Sequence, residues 1–138
     1  MEILAEHVTG KQFKAFGSSE FPTVIDAKVS SGGTGLGANP MELVLMAVAT
    51  CSGMDINSIL DKMKSTYDRF QISVRGEQAT VDPRVFTKVE IIYRFWGDSL
   101  DQKKIERAID LTLDKYCSVA IMVKQTATIS YVLELNPL

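Results

Sequence analysis

The period of hydrophobic and polar positions changes several times along the chain. Between residues 2 and 29, "EILAEHV", "QFKAF" and "TVIDAKV" read as short strands, broken by Gly10, Gly17 and the polar "SSE". The stretch "SSGGTGLGANP" (30–40) reads as a loop, a flexible lead-in to a helix. The helix start is well marked: Asn39 can cap, Pro40 suits the first helical position, and Glu42 sits three residues after Asn39 as in a capping box. The pattern predicts a helix to about Lys64. From Leu43 to Cys51 every residue but Thr50 is apolar, so this half should be buried all round. From Asp55 onward the helix is amphipathic, with Ile56, Ile59, Leu60 and Met63 sharing a face.

Two longer strands come next. Phe70, Ile72 and Val74 alternate with polar residues, and Val89, Ile91, Tyr93 and Phe95 fall on one face of the second strand. The turn-like "TVDPR" between them suggests a hairpin with a rather long turn. A second helix is expected near "DSLDQ", with Ser99 and Gln102 as a capping box and a core stripe of Ile105, Ala108, Ile109, Thr112, Leu113 and Tyr116. Cys117 falls one residue past that stripe. "SVAIMV" reads as one more short turn of helix and "ATISYVLEL" as a closing strand. The expected fold class is α+β: antiparallel sheets with two helices, in a single domain over residues 1–138. So small a domain can hardly surround the apolar helix, and burial by a partner subunit is the natural inference.

Composition narrows the functions. The chain has 138 residues, 46% hydrophobic and 23% charged, with net charge −2 and no basic patch, which argues against a nucleic-acid partner. No N-terminal apolar segment reads as a secretory signal. The longest purely apolar run, Leu43–Ala49, falls far short of the ~20 residues that span a bilayer, so no membrane partner is expected. The Gly-rich loop fits neither the dinucleotide fingerprint nor the P-loop. Two cysteines without a signal point to a reducing cytoplasm. One histidine, His7, argues against a Cys/His metal site and against a Cys–His nucleophile; it reads as an ordinary edge residue, and nothing calls for a metal or cofactor.

The candidate chemistry therefore rests on Cys51, in "VLMAVATCSGMD", and Cys117, in "KYCSVA". One reading is that both are small core residues. At the end of a helix Cys117 would also be opposed as a thiolate by the helix dipole. The other reading is a reactive thiol with a second to resolve its oxidised product. Sequence spacing leaves open whether the two meet.

"NPMELVLMAVATCSGMDINSILDKMK" together with "KYCSVA" resembles the OsmC/Ohr family, the osmotically inducible protein C and organic hydroperoxide resistance proteins, on its less characterised OsmC-like branch. The resemblance extends over the Gly-rich loop, the "DPRVFTKVEIIYRF" strand entry and the second helix. It implies an intertwined homodimer with the long helices packed centrally and two active sites at the interface. It implies Cys51 as the peroxidatic thiol, Cys117 as the resolving one, small organic hydroperoxides as substrate and a dithiol as reductant. It also implies an apolar pocket, for which Met46, Met54 and Phe86 are candidates, and a catalytic carboxylate, for which Glu42 is the candidate. The pattern departs at two points: Met41 follows the helix-opening proline, with Glu42 one residue later, and no arginine precedes Arg69. Lys11, Lys14, Lys28 and Arg84 are the cations that could stand in. The alternative is a non-catalytic dimer of the same fold that binds a small apolar ligand or senses redox state.

Overall fold

The computed structural model describes all 138 residues. They form two compact units, Met1–Val44 and Leu45–Leu138. In the first, β1 (Leu4–Thr9), β2 (Gln12–Phe16) and β3 (Thr23–Ile25) make a three-stranded antiparallel sheet in chain order. The strand between His7 and Thr9 carries a register shift, and Gly10 turns the hairpin at φ 53°. His7 is exposed on β1 and its Nε2 meets the Gly10 carbonyl at 2.9 Å.

The Gly-rich loop is tied down, contrary to the flexible lead-in expected. Asp26, 1% exposed, accepts hydrogen bonds from Ala27 N–H (2.7 Å), Thr34 N–H (3.3 Å), Gln12 Nε2 (3.3 Å) and the Thr34 hydroxyl. The Thr34 hydroxyl bond leads the causes that hold the Asp26 carboxyl below the usual carboxylate range. A Cβ at Gly33 would lie 2.0 Å from the Ala27 carbonyl oxygen, so the loop can wrap this closely only with glycine there. The loop delivers the chain to α1 (Pro40–Lys62). The capping box forms as its sequence predicts: Glu42 N–H donates to Asn39 Oδ1 (3.0 Å) and Asn39 N–H to Glu42 Oε2 (2.8 Å).

In the second unit β4 (Arg69–Gln78) and β5 (Phe86–Trp96) form the expected hairpin, then come α2 (Gln102–Leu111), a π-helical turn (Thr112–Tyr116), α3 (Ser118–Val123) and β6 (Thr128–Leu135). The sheet order is β4-β5-β6. β6 pairs parallel to β5, so this sheet is mixed and not antiparallel throughout, and the helices number three. The reason lies in the connection. The helical segments between β5 and β6 carry the chain back along the sheet, which lets β6 run in the same direction as β5. The α2 cap also differs from the Ser99–Gln102 box: Asp101 is the N-cap and accepts from Lys104 N–H at 3.1 Å.

The core of this unit is β5. Val89, Ile91, Tyr93 and Phe95 are at most 1% exposed, the face predicted from alternation. Phe70 stacks on Phe95 at 4.1 Å between centroids and lies 6.2 Å from Tyr93. α1 lies against β4 at Gly53, where a Cβ would come within 2.8 Å of Ile72 Cδ1. Its buried residues are Val48, Ser52, Ile56 and Leu60, a single stripe at four-residue spacing. The all-round burial expected for Leu43–Cys51 is therefore not met within the chain: Met46 is 51% exposed. By length and composition α1 could cross a membrane, although its longest unbroken apolar run is short. One stripe of it packs against the sheet, and Met46 and Met54 on its other faces are left open within this chain.

At the far end of the sheet, a Cβ on Gly76 would sit 2.5 Å from Phe86 Cε1 and 3.1 Å from Leu45 Cδ2. Phe86 is 6% exposed, so making room for that Cβ means disturbing buried packing. Gly76→Val should destabilise the protein by about 1–3 kcal/mol through overpacking, read as a lowered urea midpoint at unchanged m-value.

Candidate active site

Cys51 lies at the middle of α1, half-buried, one residue before the sheet-facing Ser52. One residue is about 100° of helix rotation, so Cys51 stands at the margin of the buried stripe. Asp55 comes four residues later, on the same face as Cys51.

Cys117 reaches the same place by a different device. α2 buries Ile105, Ala108 and Ile109 at helical spacing, and an uninterrupted helix would bury Thr112, Leu113 and then Tyr116. The π turn changes the last of these. Cys117 N–H donates to the Thr112 carbonyl at 2.8 Å, an i→i+5 closure. The extra residue in that turn moves the inward position from 116 to 117. Cys117 is wholly buried and Tyr116 is 48% exposed, so Tyr116 leaves the predicted stripe. Cys117 is also the N-cap of α3, with extended backbone (φ −71°, ψ 97°), and its Sγ accepts from Ala120 N–H at 3.3 Å. The opposing dipole expected for a cysteine ending a helix is thus offset by a donor from the next one.

The two sulfurs and an Asp55 carboxylate oxygen all lie within 4.8 Å of one another. Burial, with the adjacent Cys51 thiol second, pushes the Cys117 thiol up to about 12; the Ala120 N–H pulls the other way, and the Asp55 charge adds to the rise. At an effective dielectric near 20, a thiolate and a carboxylate at 4.8 Å repel by about 3.5 kcal/mol. The cluster therefore resists holding two negative charges at once. Three buried polar atoms in this unit have no hydrogen-bond partner: Asp55 Oδ2, the Tyr93 hydroxyl and Thr112 Oγ1. Tyr93 is close enough to Cys117 to feel its charge, and burial raises its hydroxyl far above the ordinary tyrosine value. Ser52, nearby, turns its own hydroxyl to the Ala49 carbonyl at 3.1 Å. Asp55 also opens onto a pocket of about 370 Å³, lined with Ser58, Ile59, Lys62, Met63, Leu111 and Tyr116.

Of the residues singled out from the sequence, Cys51 and Cys117 are thus brought together. Glu42 is occupied by its capping box, nine residues before Cys51 and roughly two and a half helical turns away along α1. Arg84 pairs with Asp82 at 3.5 Å in the exposed β4–β5 turn, and Lys11 donates to the Ser31 carbonyl at 2.5 Å. Phe86 is packed beneath Gly76, while Met46 and Met54 are exposed. Asp55 was missed. Its signal was the four-residue step from Cys51, hidden because an aspartate there also reads as the start of the wet half of an amphipathic helix.

A family model described as OsmC-like protein matches residues 33–132. The chain belongs to the OsmC-like family. Protein YhfA of Escherichia coli K12 is 36% identical over 93 residues, which cover 67% of this chain and 69% of YhfA. The crystal structure of a hypothetical protein from Aquifex aeolicus VF5 is 30% identical, covers 99% of this chain and 97% of its own, and has a TM-score of 0.81. An organic hydroperoxide resistance protein OsmC from Legionella pneumophila shares the fold at 14% identity and TM-score 0.73, with 97% of each chain covered.

For this OsmC-like protein the burial difference between the thiols has a direct readout. Reduced native protein at about pH 8 should take up one equivalent of iodoacetamide, at Cys51, with Cys117 labelled only after unfolding. Peptide mass mapping checks this; equal labelling of both thiols in the native state would contradict it.

Proposed function

We propose that the protein is a thiol-dependent peroxidase that reduces small organic hydroperoxides, with Cys51 as the attacking thiol and Cys117 as the resolving one. The observation that carries this reading is the approach of the two sulfurs to within 4.8 Å, one half-exposed and one wholly buried. Cys51, as thiolate, attacks the peroxide O–O bond: an S–O bond forms, the O–O bond breaks, and the departing alkoxide takes a proton to leave as alcohol. The Cys51 sulfenic acid then condenses with the Cys117 thiol. An S–S bond forms, and the sulfenic hydroxyl leaves with the thiol proton as water. A dithiol regenerates both thiols by exchange, which requires the reducing conditions of a cytoplasm. The likeness to a hydroperoxide resistance protein supports the substrate class. Glu42 keeps a structural part in this scheme, starting the helix that carries Cys51.

Purified reduced protein should consume cumene hydroperoxide in the presence of a dithiol. Cys51→Ser should lose at least ~100-fold of that rate. Cys117→Ser should still form one sulfenic acid, trapped by dimedone, without forming the intramolecular disulfide. A Cys51→Ser protein with unchanged turnover would overturn the assignment and favour a non-catalytic redox sensor or apolar-ligand binder.

The same reading includes a homodimer. Its support is apolar surface without cover: Met46 and Met54 on α1 are 51% and 70% exposed, and Leu4, Val8 and Phe13 are exposed on the first sheet. Sedimentation equilibrium should give twice the 15.2 kDa chain mass. Met54→Lys should shift the population toward monomer.

A further inference from the structure

We infer that Cys51, Asp55 and Cys117 form a binding site for a divalent cation of the zinc type. The inference starts from the donor set. Two sulfurs and a carboxylate oxygen, on two separately built elements, stand within 4.8 Å of one another. Zinc bonds of about 2.3 Å to sulfur and about 2.0–2.2 Å to carboxylate oxygen separate tetrahedral ligands by roughly 3.5–3.8 Å. The three donors reach that spacing with side-chain movements of under about 1 Å.

A second observation points the same way. Asp55 Oδ2 is buried and has no hydrogen-bond donor. Asp55 also enters no salt bridge, although Lys62 lines the same pocket. Buried carboxylates are ordinarily satisfied by donors or by cations. Beside it are two thiols, and the carboxylate opposes ionisation of the buried one, Cys117. A divalent cation inverts this relation, because it binds the thiolates and the carboxylate together and displaces the thiol protons. Three protein ligands leave a fourth coordination position open, and Asp55 faces a pocket of about 370 Å³. The site requires only that both thiols be reduced, so it stands apart from the question of which oxidant they meet. A disulfide between Cys51 and Cys117 removes both sulfur ligands, making the oxidised protein and the metal-bound protein mutually exclusive.

The test is titration of the reduced protein with Co(II), followed by competition with Zn(II). One equivalent of cobalt per chain should bind, with a near-ultraviolet thiolate-to-cobalt charge-transfer band of the intensity given by two thiolates. Zn(II) should displace the cobalt and protect Cys51, the thiol open to the reagent in the native protein, from alkylation. Cys117→Ser should halve the band per bound cobalt. Asp55→Asn should keep the band shape while weakening affinity by at least ~10-fold. The disulfide form should show no band. A wild-type protein with no charge-transfer band overturns the site, as does a band unchanged in Cys117→Ser or an affinity unchanged in Asp55→Asn. The wild-type titration and thiol protection carry the test should a variant fail to fold. Because no arm measures peroxide turnover, failure of the metal site is distinguishable from failure of the peroxidase reading.

Discussion

The i→i+5 hydrogen bond from Cys117 N–H to the Thr112 carbonyl fixes the geometry on which the thiol pair depends. An α-helical continuation of α2 would turn Tyr116 inward and leave Cys117 about 100° away from the core stripe. The π turn exchanges them, and it does so where α2 ends and the N-cap of α3 begins. Its irregularity is supported by regular neighbours. Ile105, Ala108 and Ile109 hold α2 against the core, and Ala120 anchors α3 there. A wider turn has poorer packing down its own axis and survives when packing on both sides over-determines it. One distortion of backbone register thus moves a thiol from outside the stripe to complete burial.

Burial then sets the chemistry. A thiol in low dielectric resists ionisation, and a carboxylate nearby resists it further. Ala120 N–H partly offsets this at Cys117, and the net direction is still upward. A raised value at Cys117 is compatible with the resolving part proposed for it, in which the thiol stays protonated until it meets an oxidised sulfur. Cys51 differs in burial: it is half-exposed at the margin of the α1 stripe. Gly53 contributes to that contrast by letting α1 settle close onto Ile72 and Phe70, which brings Ser52 into the core and leaves Cys51 beside the edge.

Much of this architecture was legible where one periodicity ran undisturbed. Val89, Ile91, Tyr93 and Phe95 alternate without exception, and all four are core. The Asn39–Glu42 capping box needed only local chemistry, and it forms. Legibility failed where the outcome depends on something non-local or off-period. The strand pattern of β6 is the same whether it pairs parallel or antiparallel, and only the path between β5 and β6 decides. The π turn breaks the three-and-four spacing that predicts Tyr116 as core. Asp101 displaced Ser99 as the α2 cap because several residues in "DSLDQ" can cap and the fold selects among them. At the site, the two cysteines were visible as residues but their meeting was not. Asp55 was invisible as a partner because its charge is equally at home on a wet helical face.

α1 joins these threads. Its buried stripe, Val48–Ser52–Ile56–Leu60, is one residue wide, although its first half is apolar on every side. A sequence needs only that stripe to pack on β4, so the remaining apolar positions are in excess of what one chain requires. Those same positions flank Cys51. A surface that covered Met46 and Met54 would also decide how much water and what size of molecule reaches the half-buried sulfur. Cover by apolar surface would favour a hydrophobic oxidant over a small hydrated one and would lower the local dielectric around Cys51 and Asp55 together. In that drier setting an unpaired carboxylate beside two thiols becomes harder to sustain, so closing the apolar face strengthens the demand for a compensating proton or cation within the cluster.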